Sequence, residues 1–279
     1  MTKRRRNFLV SAAVFLLGLA IAMYPLVSRY YYRIEAGNQV QEFEEARAQM
    51  PSAEVLERVA LAKAYNKTLD PSRIGDPYTQ EMKAGVAEYA RMLEVKEKIG
   101  HVEIPRIRED IPVYAGTSED VLQKGAGHLE GTSLPIGGPD THTVITAHRG
   151  LPSAKLFSDL DKLEVGDRFY IHNIETVLAY RVDQILVVEP SDFDPVLVVD
   201  GKDYATLLTC TPYMINSHRL LVRGERIDYV PAVQERQIAL NEQTRMYQIL
   251  FYVTLSLLIL LLLWIVVRRL RKKKPRNTE

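Results

Sequence analysis

Apolar residues are distributed along this chain in three textures. From Phe8 to Val27 they are nearly continuous, apart from Ser11, Tyr24 and Pro25, and about 20 residues at a rise of 1.5 Å give roughly 30 Å, enough to cross a bilayer's hydrocarbon. A second run from Ile249 to Val267 has a similar length. Between Gly37 and about Leu69 the apolar residues recur at helical intervals, Val40, Phe43 and Ala46, then Val55, Val59 and Ala62. That spacing predicts two amphipathic helices broken at Met50-Pro51-Ser52. Residues 70–78, rich in Pro, Gly and Asp, read as a loop, and a third helical stretch is expected over 79–93.

After Gly100 the pattern changes to short β-rich runs separated by turn residues: 101–104, 111–114, 143–148, 168–172, 176–188, 204–209 and 219–223. Strands this short and this numerous predict a mainly β domain, a closed or nearly closed barrel rather than a parallel α/β sheet. A short helix is expected near 151–160.

Charge sharpens the organisation. The chain's formal net charge is +1, yet eleven cations lie in two tails, Lys3 to Arg6 and Arg268 to Arg276, with Glu279 their sole opponent, and the remaining 25 basic and 34 acidic residues leave the body near −9. An acidic body argues against a nucleic-acid partner, which would need cations where phosphates dock. Basic clusters abutting both apolar runs predict two membrane anchors with cytoplasmic termini, placing the segment between them on the extracellular face of the plasma membrane. A cleaved signal peptide is the alternative for the first run, although its length exceeds a usual signal core and no clear A-x-A site closes it. The expected organisation is a basic start and anchor over 1–27, a helical region over 28–98 with a loop near 70–80, a β-barrel over 99–232, a linker over 233–248, an anchor over 249–267 and a basic tail over 268–279. No ligand spacing for a metal and no cofactor motif is found, so none is expected.

Cys210 is the sole cysteine, which excludes an internal disulfide and leaves two readings: a buried small hydrophobe or a reactive thiol. It closes a strand-like run before Thr211-Pro212, where a side chain can meet a substrate. A nucleophilic thiol needs a base or cation nearby, usually a histidine brought close by folding. His148 also ends a strand-like run, and Arg219 starts the strand after Cys210, where a guanidinium suits a developing oxyanion. Five other histidines compete on the residues alone: His101, His128, His142, His172 and His218.

The local strings narrow the choice. Residues 206–226, TLLTCTPYMINSHRLLVRGER, resemble the TLxTC…R signature of sortases, and the longer form is similar to the class C, pilus-assembling branch. Residues 146–157, TAHRGLPSAKLF, and 128–138, HLEGTSLPIGG, resemble two further segments of that branch, so that the likeness runs from about Gly37 to Val230. The resemblance implies a closed sortase-type barrel and a cysteine transpeptidase with Cys210 as nucleophile, His148 as acid/base and Arg219 as substrate-orienting residue. It makes Asp76-Pro77-Tyr78 a lid, with Asp76 pairing with Arg219 and Tyr78 over Cys210, whereas the tripeptide by itself reads as an ordinary turn. Thr209 and Thr211 are candidates for the substrate groove. The implied partners are pilin precursors bearing a Leu-Pro-x-Thr-Gly-like signal and an acceptor lysine.

Two departures stand out: Tyr78 where Phe or Trp is common, and Met214 where Gly often follows Pro-Tyr. The second bears on loop shape, since glycine reaches positive φ and methionine rarely does. A housekeeping sortase joining surface proteins to a cell-wall amine is the nearest alternative. From another class, an extracytoplasmic binding or sensing module would leave Cys210 buried and inert.

Overall fold

Alternating short strands after Glu97 close on themselves. In the computed structural model, which describes residues 3–69, 74–78, 88–236, 238, 250, 251, 253 and 254, eight strands form one closed barrel in the order β1-β2-β3-β4-β7-β8-β6-β5. They are β1 (Lys98–Ile104), β2 (Glu109–Ala115), β3 (Ala126–His128), β4 (Thr141–Thr146), β5 (Arg168–His172), β6 (Val177–Val188), β7 (Asp203–Thr211) and β8 (His218–Ile227). Seven of them overlap the runs read from sequence. The three-residue β3 does not, because Ala-Gly-His carries no alternation; its place is set by pairing with β2 on one side and β4 on the other. Val102, Ile111, Phe169, Leu207 and Val222 are fully buried in the core, each worth roughly 1.5–3 kcal/mol in burial.

Two helices precede the barrel. Helix α1 (Lys3–Ala48) is 46 residues long and ends before Pro51, and α2 (Ser52–Asn66) begins directly after it. The proline, with φ −61°, stands where no helical N–H is required, so it separates the helices as expected. Val59 and Ala62 are buried on α2, and Asn66 clasps the backbone of Leu134 through both its N–H (2.8 Å) and its carbonyl (3.3 Å). Of the expected third helix only 88–93 falls within the described residues, as a 3-10 helix, and the short helix after β4 is a 3-10 helix at Leu156–Lys162.

No helix among the described residues is long and apolar enough to cross a membrane. That finding corrects the expectation of an anchor at 8–27, and with it the membrane topology, the cytoplasmic termini and the placement of the catalytic domain on the extracellular face of the plasma membrane. The apolar residues form no helix of their own: they open α1, which runs on without a break through Arg29, Arg33 and Glu35 to a segment packed on the barrel. The second expected anchor, 249–267, lies outside the described residues except for 250, 251, 253 and 254. Residues 230–279 form a separate unit from 1–229, with a helical turn over 231–236.

The end of α1 is fixed to the barrel by a polar clamp. His101 of β1 is almost fully buried, with Nδ1 2.6 Å from Asp110 of β2 and Nε2 3.2 Å from Glu44 of α1. His172 of β5 stacks on it at 4.0 Å and 19°. Burial opposes the charge on His101, but the two carboxylates outweigh it and push its pKa up to about 9. The folded value therefore lies above the unfolded one of about 6.5, so the clamp contributes fully below about pH 6.5 and is lost as pH rises through 9. The midpoint of thermal unfolding should fall between pH 7 and 10 more steeply for this chain than for His101→Gln; parallel curves for the two would refute the assignment.

Candidate active site

The register of two strand pairs decides which chemical groups meet. Strands β4 and β7 are parallel, with Thr146 opposite Leu208, so continuing both chains by two residues brings His148 level with Cys210 at the same end of the sheet. Strands β7 and β8 are antiparallel, and Cys210 lies directly opposite Arg219, the position from which side chains on one face touch. Three residues separated by up to 71 positions in the sequence are thereby carried to one edge.

The bottom of this edge is held from behind. Thr209 is fully buried, and its hydroxyl donates to the Ala147 carbonyl at 2.7 Å, bracing the turn that carries His148. Thr209 therefore supports the site from within rather than lining an open groove. Thr211 is half-buried and accepts a 2.9 Å bond from Arg149, whose guanidinium also pairs with Asp161 at 2.7 Å. Beyond it the peptide before Pro212 is cis, and Met214 and Asn216 have φ of 66° and 61°. Met214 thus does adopt the conformation that glycine would favour, at a cost on the order of 1 kcal/mol, and its side chain stands 70% exposed.

Residues 74–78 cover the edge. The Asp76 carboxylate accepts two hydrogen bonds from Arg219, Nε to Oδ1 and Nη2 to Oδ2, both 2.7 Å. The remaining Nη1 donates to the carbonyls of Asn216 and His218 at 3.0 Å. Both side chains of the pair are less than a tenth exposed, so the fork is dry as well as bidentate. The Tyr78 hydroxyl donates to the Ala147 carbonyl at 2.8 Å and lies 2.9 Å from the Thr146 hydroxyl. Its ring lies between two of the candidate groups, with its centroid 5.6 Å from the His148 ring and 5.0 Å from the Arg219 guanidinium carbon. Tyr78 and Ile74 also pack on a small apolar cluster that includes Leu129, Val144, Leu208 and Leu221.

Electrostatics at the sulfur follow from this cover. Burial pushes the Cys210 thiol up, the Arg219 charge pulls it down, Asp76 pushes it up again, and a hydrogen bond with Tyr78 lowers it. The net direction is upward, so the covered site holds a protonated thiol. Burial likewise keeps the Tyr78 phenol neutral, suited to hydrogen bonding rather than to proton transfer.

One neighbour was not legible in sequence. Glu119, the first residue of α3 (Glu119–Lys124), brings Oε1 to 3.3 Å from His148 Nε2. Its only local signal is a Ser118 cap followed by acids, which reads as a helix start. A cavity of about 740 Å³ lies elsewhere, lined in part by Lys63, Gly138, Asp203 and Arg226, and Asp203 is already bonded by Gly138 N–H and Tyr180. One group among the described residues gathers ligand atoms for a metal, Glu44, His101 and His172. The two imidazoles stack face to face, so their in-plane lone pairs run side by side instead of converging, and the group acts as the clamp described above.

Comparisons with known proteins agree with this geometry. Residues 102–227 match the sortase domain. Sortase C-1 of Streptococcus pneumoniae is 62% identical, with a TM-score of 0.68 over 69% of this chain and 100% of that one. A pilus-related sortase C of Group B Streptococcus is 59% identical, with a TM-score of 0.66 over 68% of this chain and 97% of that one. Sortase A of Bacillus anthracis is 25% identical over 81% of this chain and 97% of that protein. A closed eight-strand barrel, a match to the sortase domain and about 60% identity to solved sortase C chains over nearly their full length mean that the protein belongs to the sortase family of cysteine transpeptidases, in its class C branch.

Proposed function

We propose that this enzyme polymerises pilin subunits. Cys210 attacks the Thr–Gly carbonyl of a Leu-Pro-x-Thr-Gly-like signal; the C–N bond breaks, a thioester forms, and the glycine amine leaves with a proton from His148. A lysine amine of a second subunit then attacks the thioester, gives its proton back through His148, and releases the Cys210 thiolate with formation of an isopeptide bond. Arg219 orients the substrate and stabilises the oxyanion in both steps. Residues Asp76 to Tyr78 act as the lid, because Asp76 holds Arg219 in a bidentate fork that a substrate oxygen has to displace.

The observation that carries this reading is the alignment of Cys210 with Arg219 across β7 and β8, with His148 at the same level off β4. The pilus-related neighbour supports the choice of acceptor, as does the lid segment, which a housekeeping enzyme does not require. Intact mass spectrometry of the purified full-length chain with a Leu-Pro-x-Thr-Gly peptide, beside Tyr78→Ala, tests it. We expect the mass of the N-terminal peptide fragment on the protein, more abundant in the variant, and transfer to a pilin lysine when a subunit is added. Adduct without transfer to any pilin lysine, but with transfer to a cell-wall amine, would favour the housekeeping reading; no adduct with either that peptide or a pilin-derived signal would overturn both.

A further inference from the structure

His148 Nε2 is buried and has no hydrogen-bond partner among the described residues, an arrangement that native proteins seldom leave unexplained. The nearest carboxylate is Glu119 Oε1, at 3.3 Å, within ion-pair reach though not aligned as a hydrogen bond. Glu119 is held in place from its own helix, since Gln123 donates to the same Oε1 at 2.7 Å. Its side chain is half exposed while that of His148 is largely covered, so a small rotation of the carboxylate is enough to align the pair. Two other titratable groups near the ring among the described residues do not compete for this nitrogen: Tyr78 presents its ring, and Arg149 turns to Asp161 and Thr211.

We propose that Glu119 is the positioning residue of the histidine. A carboxylate only accepts, so the ring nitrogen facing it must carry the proton. Glu119 therefore holds His148 as the Nε2–H tautomer and leaves the Nδ1 lone pair to take the thiol proton and hand it to the leaving amine. When the ring becomes an imidazolium between those events, the same carboxylate faces the new charge, the logic of an orienting acid in a catalytic triad. The role rests on the transpeptidase reading above, but the contact itself does not depend on it.

The test is imidazole ¹⁵N NMR of the full chain, with His148 assigned among the six histidines by His148→Gln, together with steady-state kinetics on the sorting-signal peptide. In the wild type the Nε2 resonance should have the protonated shift and Nδ1 the bare one. Glu119→Ala should average the two shifts and lower kcat about tenfold or more, with KM changed less than about twofold. Glu119→Gln, whose amide oxygen still accepts from Nε2–H, should keep the wild-type tautomer and recover most of that loss. Identical ¹⁵N shifts in wild type and Glu119→Ala, or an unchanged kcat in that variant, would overturn the proposal. A wild type inactive on every peptide, with tautomer averaging still seen in Glu119→Ala, would instead remove the transpeptidase reading and leave the pairing intact.

Discussion

Cys210→Ala should eliminate the thioester and lower kcat/KM by at least about 10³-fold, roughly 4 kcal/mol of transition-state stabilisation. The chain has no second cysteine, so no other thiol can take over. The side chain is small and only 6% exposed, and its truncation costs on the order of 1 kcal/mol in packing, so the barrel should remain folded. Circular dichroism and the thermal midpoint verify that, and intact mass after incubation with peptide measures the chemistry. A peptide adduct on the alanine variant would sink the assignment of the nucleophile.

Asp76→Ala is expected to raise the rate of Cys210 alkylation at pH 7 by about ten- to a hundredfold. Two effects act in the same direction. Freed of Asp76, residues 74–78 lose their bidentate anchor, and lifting them removes the burial that is the largest force holding the thiol up. Loss of the carboxylate also deletes a charge that opposes the thiolate, leaving Arg219 to favour it. The midpoint of the alkylation-rate profile should therefore move to lower pH. Tyr78→Ala relieves the burial but keeps Asp76 on Arg219, so it should accelerate labelling with a smaller movement of that midpoint. Alkylation unchanged in Asp76→Ala, accompanied by a fall in thermal stability, would show that the buried ion pair only braces the fold, for which the loss of one partner costs about 3–5 kcal/mol.

Both expectations concern the same economy of donors. Arg219 commits four of its five N–H donors to Asp76 and two carbonyls, so the fork that faces Asp76 is open to a substrate oxygen only once Asp76 withdraws. On the proposed lid reading the covered site is held back on two counts, a thiol pushed upward by burial and a guanidinium forked to Asp76, and displacing a single short segment relieves both.

The sequence by itself determined the elements whose signal is local. Period-two runs gave seven of the eight strands, Pro51 gave the boundary between α1 and α2, and the strings around Cys210 and His148 named the family. It misread the apolar stretch at 8–27, because apolarity in a window is a property of composition, whereas the helix that forms continues to Ala48 and no described helix meets the requirement for a span. Strand β3 escaped because three residues are too few to show a period. What only the tertiary structure decided was company. The register that sets Cys210 against Arg219 comes from the β7–β8 hairpin, whereas the parallel pairing that levels His148 with them, the burial of Thr209 behind the site and the approach of Glu119 across 29 residues come with assembly of the barrel. Closure joins strands distant in sequence through long-range contacts that leave no mark on the spacing of residues along the chain.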